Sequence, residues 1–439
     1  MIPNPSIMKA VEQLGYRVTT GDVAAQAGID VNVAQQQLLA LASDAGGHLQ
    51  VAESGEIAFL FPQDFRSILR NKFWRLKLQE WWEKVWRVLF YLIRISFGIL
   101  LIVSIVLIFV SIALILMAVN SSRDGDDSGG SSEGGGGIVF VPRVWFGPDW
   151  YWFLYWDYDD YSSHRRPRGG TSQTDQYNFL EAVFSFLFGE GNPNANLEEW
   201  RWKTIATLIR NNQGAIIAEQ VAPYLDDISR QEEEYEDYML PVLTRFNGYP
   251  KVSPEGEFVY HFPDLQMTAT QYSPQPISSY LKEQLWKFSQ ASSGQLMLAA
   301  GLGVVNIVGA IILGSLLREG TIAQTLGGLV AFVEGIFPVL LVYGIGFLTV
   351  PLVRYLLMKW RNARIEVRNH HRQERVALLN QADNSVQQKL SYARQFAAET
   401  VITQKDLAYT TESDLIEQEL EQTDKIDAEW QKRLNESNS

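Results

Sequence analysis

The sequence predicts an α+β membrane protein in which small helix-and-hairpin domains alternate with helices that cross a bilayer. Three observations carry that expectation. Long apolar runs carry no charge or a single acid, one stretch occurs twice at a fixed offset, and helical periodicity gives way to short alternating runs ahead of the apolar segments.

The apolar runs set the frame. Ile95 to Val119 is 25 residues without a charge, ample at a rise of about 1.5 Å per residue for a hydrocarbon core of about 30 Å. Leu296 to Leu317 is a second such run, with small residues four apart at Ala299/Gly303 and Ala310/Gly314 that would let another helix approach closely. Leu326 to Val353 is a third, interrupted by Pro338 and Pro351 and carrying one acid, Glu334. Three transmembrane helices follow, at 95–119, 296–317 and 326–353, with the last two forming an antiparallel hairpin.

Lys and Arg mark the side on which these spans end. Arg66, Arg70, Lys72, Arg75, Lys77, Lys84, Arg87 and Arg94 precede the first, and Arg354, Lys359, Arg361, Arg364, Arg368, Arg372 and Arg375 follow the third. Both sets belong on the cytoplasmic side, which three crossings alone cannot give. An even number is therefore expected, with the extra passage inside 120–176. That segment opens as a Gly/Ser-rich linker. It continues as an aromatic, proline-interrupted stretch, Ile138 to Trp156, that reads as interfacial, re-entrant or irregularly crossing.

The repeat sets the soluble part. Leu38 to Pro62 and Met239 to Pro263 align without a gap at an offset of 201 residues. They share Leu39/Leu240, Gly47/Gly248, Val51/Val252, Gly55/Gly256, Glu56/Glu257, Phe61/Phe262 and Pro62/Pro263. Gly55 and Gly256 stand between two short β-runs, where a tight turn needs positive φ. Around the first copy, Pro5 to Leu14, Thr20 to Ala27 and Val31 to Ala42 read as helices, and His48 to Val51 with Ile57 to Phe61 as a hairpin. Around the second, Glu198 to Asn211, Ala215 to Leu225 and Tyr235 to Phe246 read as helices before the hairpin, with an acidic insertion ahead of the third. Helix, helix, helix, hairpin is the order of a winged helix. Two winged-helix-like domains are expected, at 1–62 and 177–265.

An aromatic and basic helix is expected to lie in the interface after each domain, at 63–94 (Phe65 to Phe90) and at 277–290 (Ser278 to Ser289). A helical C-terminal tail is expected over 354–439. Its stripe Val376, Leu379, Val386, Leu390, Ala393 and Phe396 suits packing on a domain or on a partner. No basic n-region or apolar core precedes Pro5, so no cleavable secretion signal is expected.

Composition excludes several functions. A chain without cysteine has no disulfide, thiolate metal site, cysteine nucleophile or thiolate-held iron–sulfur cluster. The formal charge of −13 disfavours nucleic acid, and Val31 to Ala42 contains no Lys or Arg where a DNA-reading helix needs them. No catalytic triad, carboxylate pair or phosphate-cradling loop stands out, so no enzyme and no cofactor are expected. His370, His371 and Glu374 read as a solvated face, because Arg368, Arg372 and Arg375 around them repel a cation.

The candidate intramembrane polar residues are Glu334 and Asn306. Candidate lipid or partner contacts are Arg66, Arg70, Lys72, Arg75, Trp81, Trp82, Arg165, Arg166, Arg168, Arg361 and Arg364, since aromatic rings and cations gather at headgroups. The expected function is a membrane-anchored protein-interaction scaffold or assembly factor. A transporter or channel component built on the helical hairpin is the alternative, and a membrane-tethered DNA-binding regulator ranks below both. The expected partners are membrane lipids and a protein.

The segments NFLEAVFSFLFGEGNPN, EEWRWKTIATLIRNNQGAIIAEQVAPYL and LPVLTRFNGYPKVSPEGEFVYHFPDL, within 177–265, resemble a membrane protein family of cyanobacteria and chloroplasts. Plant members of that family carry the label "iron–sulfur cluster biosynthesis family protein". The resemblance implies a thylakoid or plasma membrane location and a role near photosynthetic complexes. It carries over no catalytic residue.

Overall fold

The computed structural model describes residues 4–72, 74–123, 178–226, 228, 235–318, 326–381, 384–416 and 418, with isolated positions near the C-terminus. The aromatic stretch 138–156 and Arg165, Arg166 and Arg168 lie outside the described residues. The fold is mixed and dominated by helix. The chain divides into two units: a sheet-bearing one of residues 1–82, 193–285 and 363–439, and a helical one of residues 83–192 and 286–362.

In the sheet-bearing unit the first module runs α1 (Pro5–Gln13), β1 (Arg17–Thr19), α2 (Thr20–Ala27), α3 (Val31–Ala45), β2 (His48–Ala52) and β3 (Ile57–Leu60). Its boundaries are local chemistry. Asn4, Thr19 and Asp30 cap the helices with side-chain oxygens, and Gly28 and Gly46 end α2 and α3 in the left-handed region. Ile7, Val11, Val23, Leu38, Leu41, Phe59 and Phe61 fill the core. Helix α4 (Phe65–Lys72) closes that core with Phe65 and Leu69.

The second module runs α7 (Leu197–Asn211), β4 (Ala215–Ile216), α8 (Ala218–Val221), α9 (Leu240–Phe246), β5 (Tyr249–Val252) and β6 (Phe258–His261), followed by α10 (Pro263–Gln266) and β7 (Met267–Thr268). Its hydrogen bonds follow the first module's at the same offset. Gly47 N–H donates to Ala42 O and Gly248 N–H to Leu243 O; Gly55 N–H donates to Ala52 O and Gly256 N–H to Ser253 O. Gly55 and Gly256 have φ of 87° and 90°. A Cβ on Gly47 or Gly248 would strike the ring of Phe61 or Phe262 respectively. The sheets match as β1-β3-β2 and β4-β6-β5.

Several elements differ from the sequence expectation. Ala215 to Leu225 starts as strand β4 and keeps only four α-helical residues, because the segment supplies the strand that pairs with β6. Tyr235 to Phe246 is broken at Glu236, whose φ is 54°, and resumes from Asp237, first as a 3-10 turn. Ser278 to Ser289 forms no helix. It runs extended, and asparagine side chains take the place of a neighbouring strand. Asn369 brackets the amide and carbonyl of Glu283 at 2.9 and 2.8 Å, and Asn194 brackets those of Gln284 at 2.8 Å each. An Asn amide offers a donor and an acceptor side by side, so the backbone is satisfied without a helix.

The tail is not helical throughout. After α13 (Asn384–Ala393) it forms β8 (Thr400–Val401), parallel to β7, and β9 (Leu407–Thr410), which adds to β2 as the fourth strand of the first sheet. The tail's apolar stripe packs on the second module: Leu379, Val386, Leu390, Ala393 and Phe396 meet Ala215, Ile217 and Val259.

The helical unit holds the apolar part of α5 (Trp74–Arg123), α6 (Phe179–Phe188), α11 (Ser293–Leu317) and the first part of α12 (Gly328–Asn380). Three of these helices are long and apolar enough to cross a membrane. Residues 74–94 form no separate interfacial helix, since α5 runs unbroken to Arg123. Helix α12 continues through Pro338 and Pro351 past Val353 to Asn380.

Helices α5 and α11 run parallel: Ser104 meets Asn306, and a Cβ on Gly309 would lie 2.9 Å from Ile108. Helix α12 is antiparallel to α11, with Phe347 against Gly303 and Phe337 against Gly314. Arg94 and Arg354 therefore share one end of the bundle, where Arg94 pairs with Glu190 at 3.0 Å and Arg354 reaches Ser185 O at 3.1 Å. Leu180 lies against Gly98, whereas Arg123 ends α5 at the far side. The chain between Arg123 and Asn178 thus joins opposite ends of the bundle.

Candidate functional site

The modules share a core that takes in α2 and α3 of the first and α7 and α9 of the second. Ala24, Ala25, Val31 and Ala34 of the first pack with Trp202, Ile205, Phe246 and Phe262 of the second. Gly21 admits this approach, since a Cβ there would overlap the carbonyl of Asp264. Arg245, the one cation of α9, is spent inside the joint. It donates to Gly28 O at 2.8 Å through Nη2 and lies 4.5 Å from the ring of Trp202. Burial lowers its pKa from the ordinary value, with Glu198 and Asp30 pulling it back. Asn247, which ends α9 at φ 50°, bonds Asn32 of α3 at 3.1 Å. The face of α3 left open carries Asn32, Val33, Gln35, Gln36, Leu39 and Ser43, without a single charge.

Helix α12 enters the same unit as a charged clamp. Arg372 is 1 % exposed and uses four of its five N–H donors: Nη1 reaches Leu281 O at 3.0 Å and Glu283 at 2.8 Å, Nη2 reaches Asp226 at 2.9 Å, and Nε reaches Leu225 O at 3.1 Å. Arg368 grips Glu283 with Nε and Nη2 at 2.8 and 2.5 Å. Burial works against the charge of Glu283, but hydrogen bonds and charge from Arg368 and Arg372 outweigh it and hold the pKa below the usual range. Farther along, Lys389 of α13 sits between Glu219, Glu236 and Glu257 at 2.9, 2.8 and 3.2 Å. Burial opposes its charge, yet the hydrogen bonds to Glu236 and Glu219 raise its pKa above the ordinary value. This tail lysine and the acids it joins gave no signal in the sequence, because their partners lie over a hundred positions apart.

The residues singled out from sequence fall in several places. Asn306 is fully buried in the bundle, where Oδ1 accepts from Ser104 Oγ at 2.9 Å and Nδ2 has no partner among the described residues. Glu334 lies on the exposed face of α12 and is not brought to Asn306. Arg66 and Lys72 pair with Glu12 and Asp44 of the first module. Arg70 is exposed in the last turn of α4, and Arg75 falls in α5, its side chain outside the described set. Trp81 and Trp82 are 56 % and 54 % exposed. Arg361 stacks 5.0 Å from the ring of Trp286, and Arg364 is exposed. His371 meets Glu374 at 3.1 Å on an exposed face, and no group of three metal-ligating side chains occurs among the described residues.

Compared with known proteins, the chain is 37 % identical over 446 residues to the uncharacterized chloroplastic protein At5g03900 of Arabidopsis thaliana. The match spans 98 % of this chain and 82 % of that protein. The chain belongs to the family of that chloroplast protein. The relative's name carries no iron–sulfur designation. No family model matches the chain, and no solved structure does.

Proposed function

We propose that the chain is a membrane-anchored docking scaffold, in which two winged-helix-like modules, descended from one duplicated unit, present a protein-binding surface. The observation that carries this reading is the state of the helices that winged helices use on DNA. Helix α3 offers a charge-free face with Val33 and Leu39 exposed, and the single cation of α9 is consumed by Gly28 O and Trp202. DNA affinity rests on neutralising phosphates, and nothing on this surface does so. An uncharged face with exposed apolar side chains suits a protein partner.

The three apolar helices are the anchor, with Trp81, Trp82 and Trp86 at the headgroup level and the cations around them on the cytoplasmic or stromal side. The chloroplastic relative supports a chloroplast-type membrane as the location, and the partner proposed there is a photosynthetic complex. The test is co-purification from membranes in mild detergent, comparing the native chain with Leu39→Glu. A partner retained by the native chain and lost from the variant is expected. A lone chain at every salt concentration would remove the proposal.

A second reading, a transport component, draws on one observation: the buried, half-satisfied amide of Asn306 inside the bundle. Flux into vesicles that disappears in Asn306→Leu while the protein still inserts would favour it.

A further inference from the structure

The ion pair that ties α2 to α7 opens on a cleft. Asp22 and Arg210 meet at 2.7 Å with side chains only 5 % and 7 % exposed. Asp22 is saturated, since its other oxygen accepts the amides of Thr19 and Ala269 at 3.0 and 2.9 Å. Arg210 is held on its face by the ring of Tyr272, 4.3 Å away. Tyr272 is itself fixed, its hydroxyl donating to Asn211 at 2.9 Å and its amide to Glu399 at 2.9 Å.

The guanidinium is immobilised, yet it donates one hydrogen bond: among the described residues nothing but Asp22 accepts from it. An arginine carries five N–H donors, so most of its donor edge is unspent. That edge faces a cleft of about 200 Å³ between the modules, lined also by Gln26, Thr207, Thr270, Ser273 and Gln275. At ~30 Å³ per water the space holds about six or seven waters.

A planar guanidinium with a free edge matches the paired oxygens of a carboxylate, and its ordering cost has already been met in the folded chain. Local charge decides how many negative charges the ligand can carry. Arg210 and Arg17, whose Nη1 bonds Ala269 O at 2.5 Å, are balanced by Asp22 and Glu399. In this neutral setting a dianion such as phosphate would add two uncompensated charges, whereas a carboxylate adds one. The hydroxyls and amides of the lining suit a hydroxyl or amino substituent beside it.

We propose that this cleft binds a small hydroxylated or amino-substituted monocarboxylate. The full chain in detergent would be titrated calorimetrically with lactate and with glycine, with propionate and inorganic phosphate as comparisons. Two variants are needed. Arg210→Lys keeps a cation for Asp22 but removes the planar edge. Ser273→Trp fills the mouth from an exposed position and leaves the ion pair alone. Saturable binding of lactate or glycine is expected, weaker for propionate and at least tenfold weaker in both variants. Absence of saturable binding to either acid, equal affinity in Ser273→Trp, or phosphate binding more tightly than both acids would overturn the proposal.

Discussion

At the scale of single residues, buried polar groups decide what the fold tolerates. Ser104 and Asn306 form a hydrogen bond in an apolar bundle, and a partner lost there strands a buried acceptor. Ser104→Ala should lower stability in detergent by about 1–2 kcal/mol. Ser104→Ala combined with Asn306→Leu should recover most of that loss, because no polar atom is then left behind; thermal unfolding of the native chain and the two variants reads the difference. Glu283 makes a matching statement about pH. Its folded pKa lies below the ordinary 4.5, so its contribution is present above that value and is lost as pH falls through the folded pKa. Acid unfolding followed by Trp fluorescence should therefore begin at higher pH in Arg368→Met than in the native chain. Asn306 was legible as a polar residue in an apolar run. Glu283 was not, because its meaning comes from cations on α12 more than eighty positions later.

At the scale of elements, the two hairpins explain where the tail goes. Leu49 turns its backbone outward from β2: its N–H donates to Thr411 Oγ1 at 2.9 Å and its carbonyl accepts the amide of Thr411 at 3.0 Å. The equivalent residue on β5 is Pro250, which has no N–H, and the carbonyl of Val252 already accepts the hydroxyl of Tyr392. One edge is open to a strand and the other is blunted. Leu49→Pro should free β9 without unfolding the first module, seen as faster amide exchange confined to Leu407–Thr410 and Thr411. Most helices and both hairpins could be read from periodicity and from Gly55 and Gly256. Strand β9 and the extended Ser278 to Ser289 could not. Leu-Ala-Tyr-Thr is too short to stand out in a polar tail, and asparagine brackets from Asn194 and Asn369 override the amphipathic pattern of the second.

At the scale of the whole molecule, the order of the helices bears on a conflict that charge counting left open. Parallel α5 and α11 with antiparallel α12 bring Arg94 and Arg354 to one end of the bundle and leave Arg123 at the other, which predicts opposite faces of the membrane for Asn192 and Arg123. The absence of cysteine makes this directly testable. Single cysteines replacing Glu83 and Asn192 should react with an impermeant maleimide from one face of sealed vesicles, and those replacing Arg123 and Arg318 from the other. All four reacting from one face would refute that prediction. The fourth strand of the first sheet has a different consequence, one of timing. The N-terminal module leaves the ribosome first, but β9 follows only after every apolar helix has been made, roughly 20–70 s later at ~5–20 residues per second. Until residues 407–410 have been made, that newborn domain shows a bare sheet edge, open to a strand from another chain.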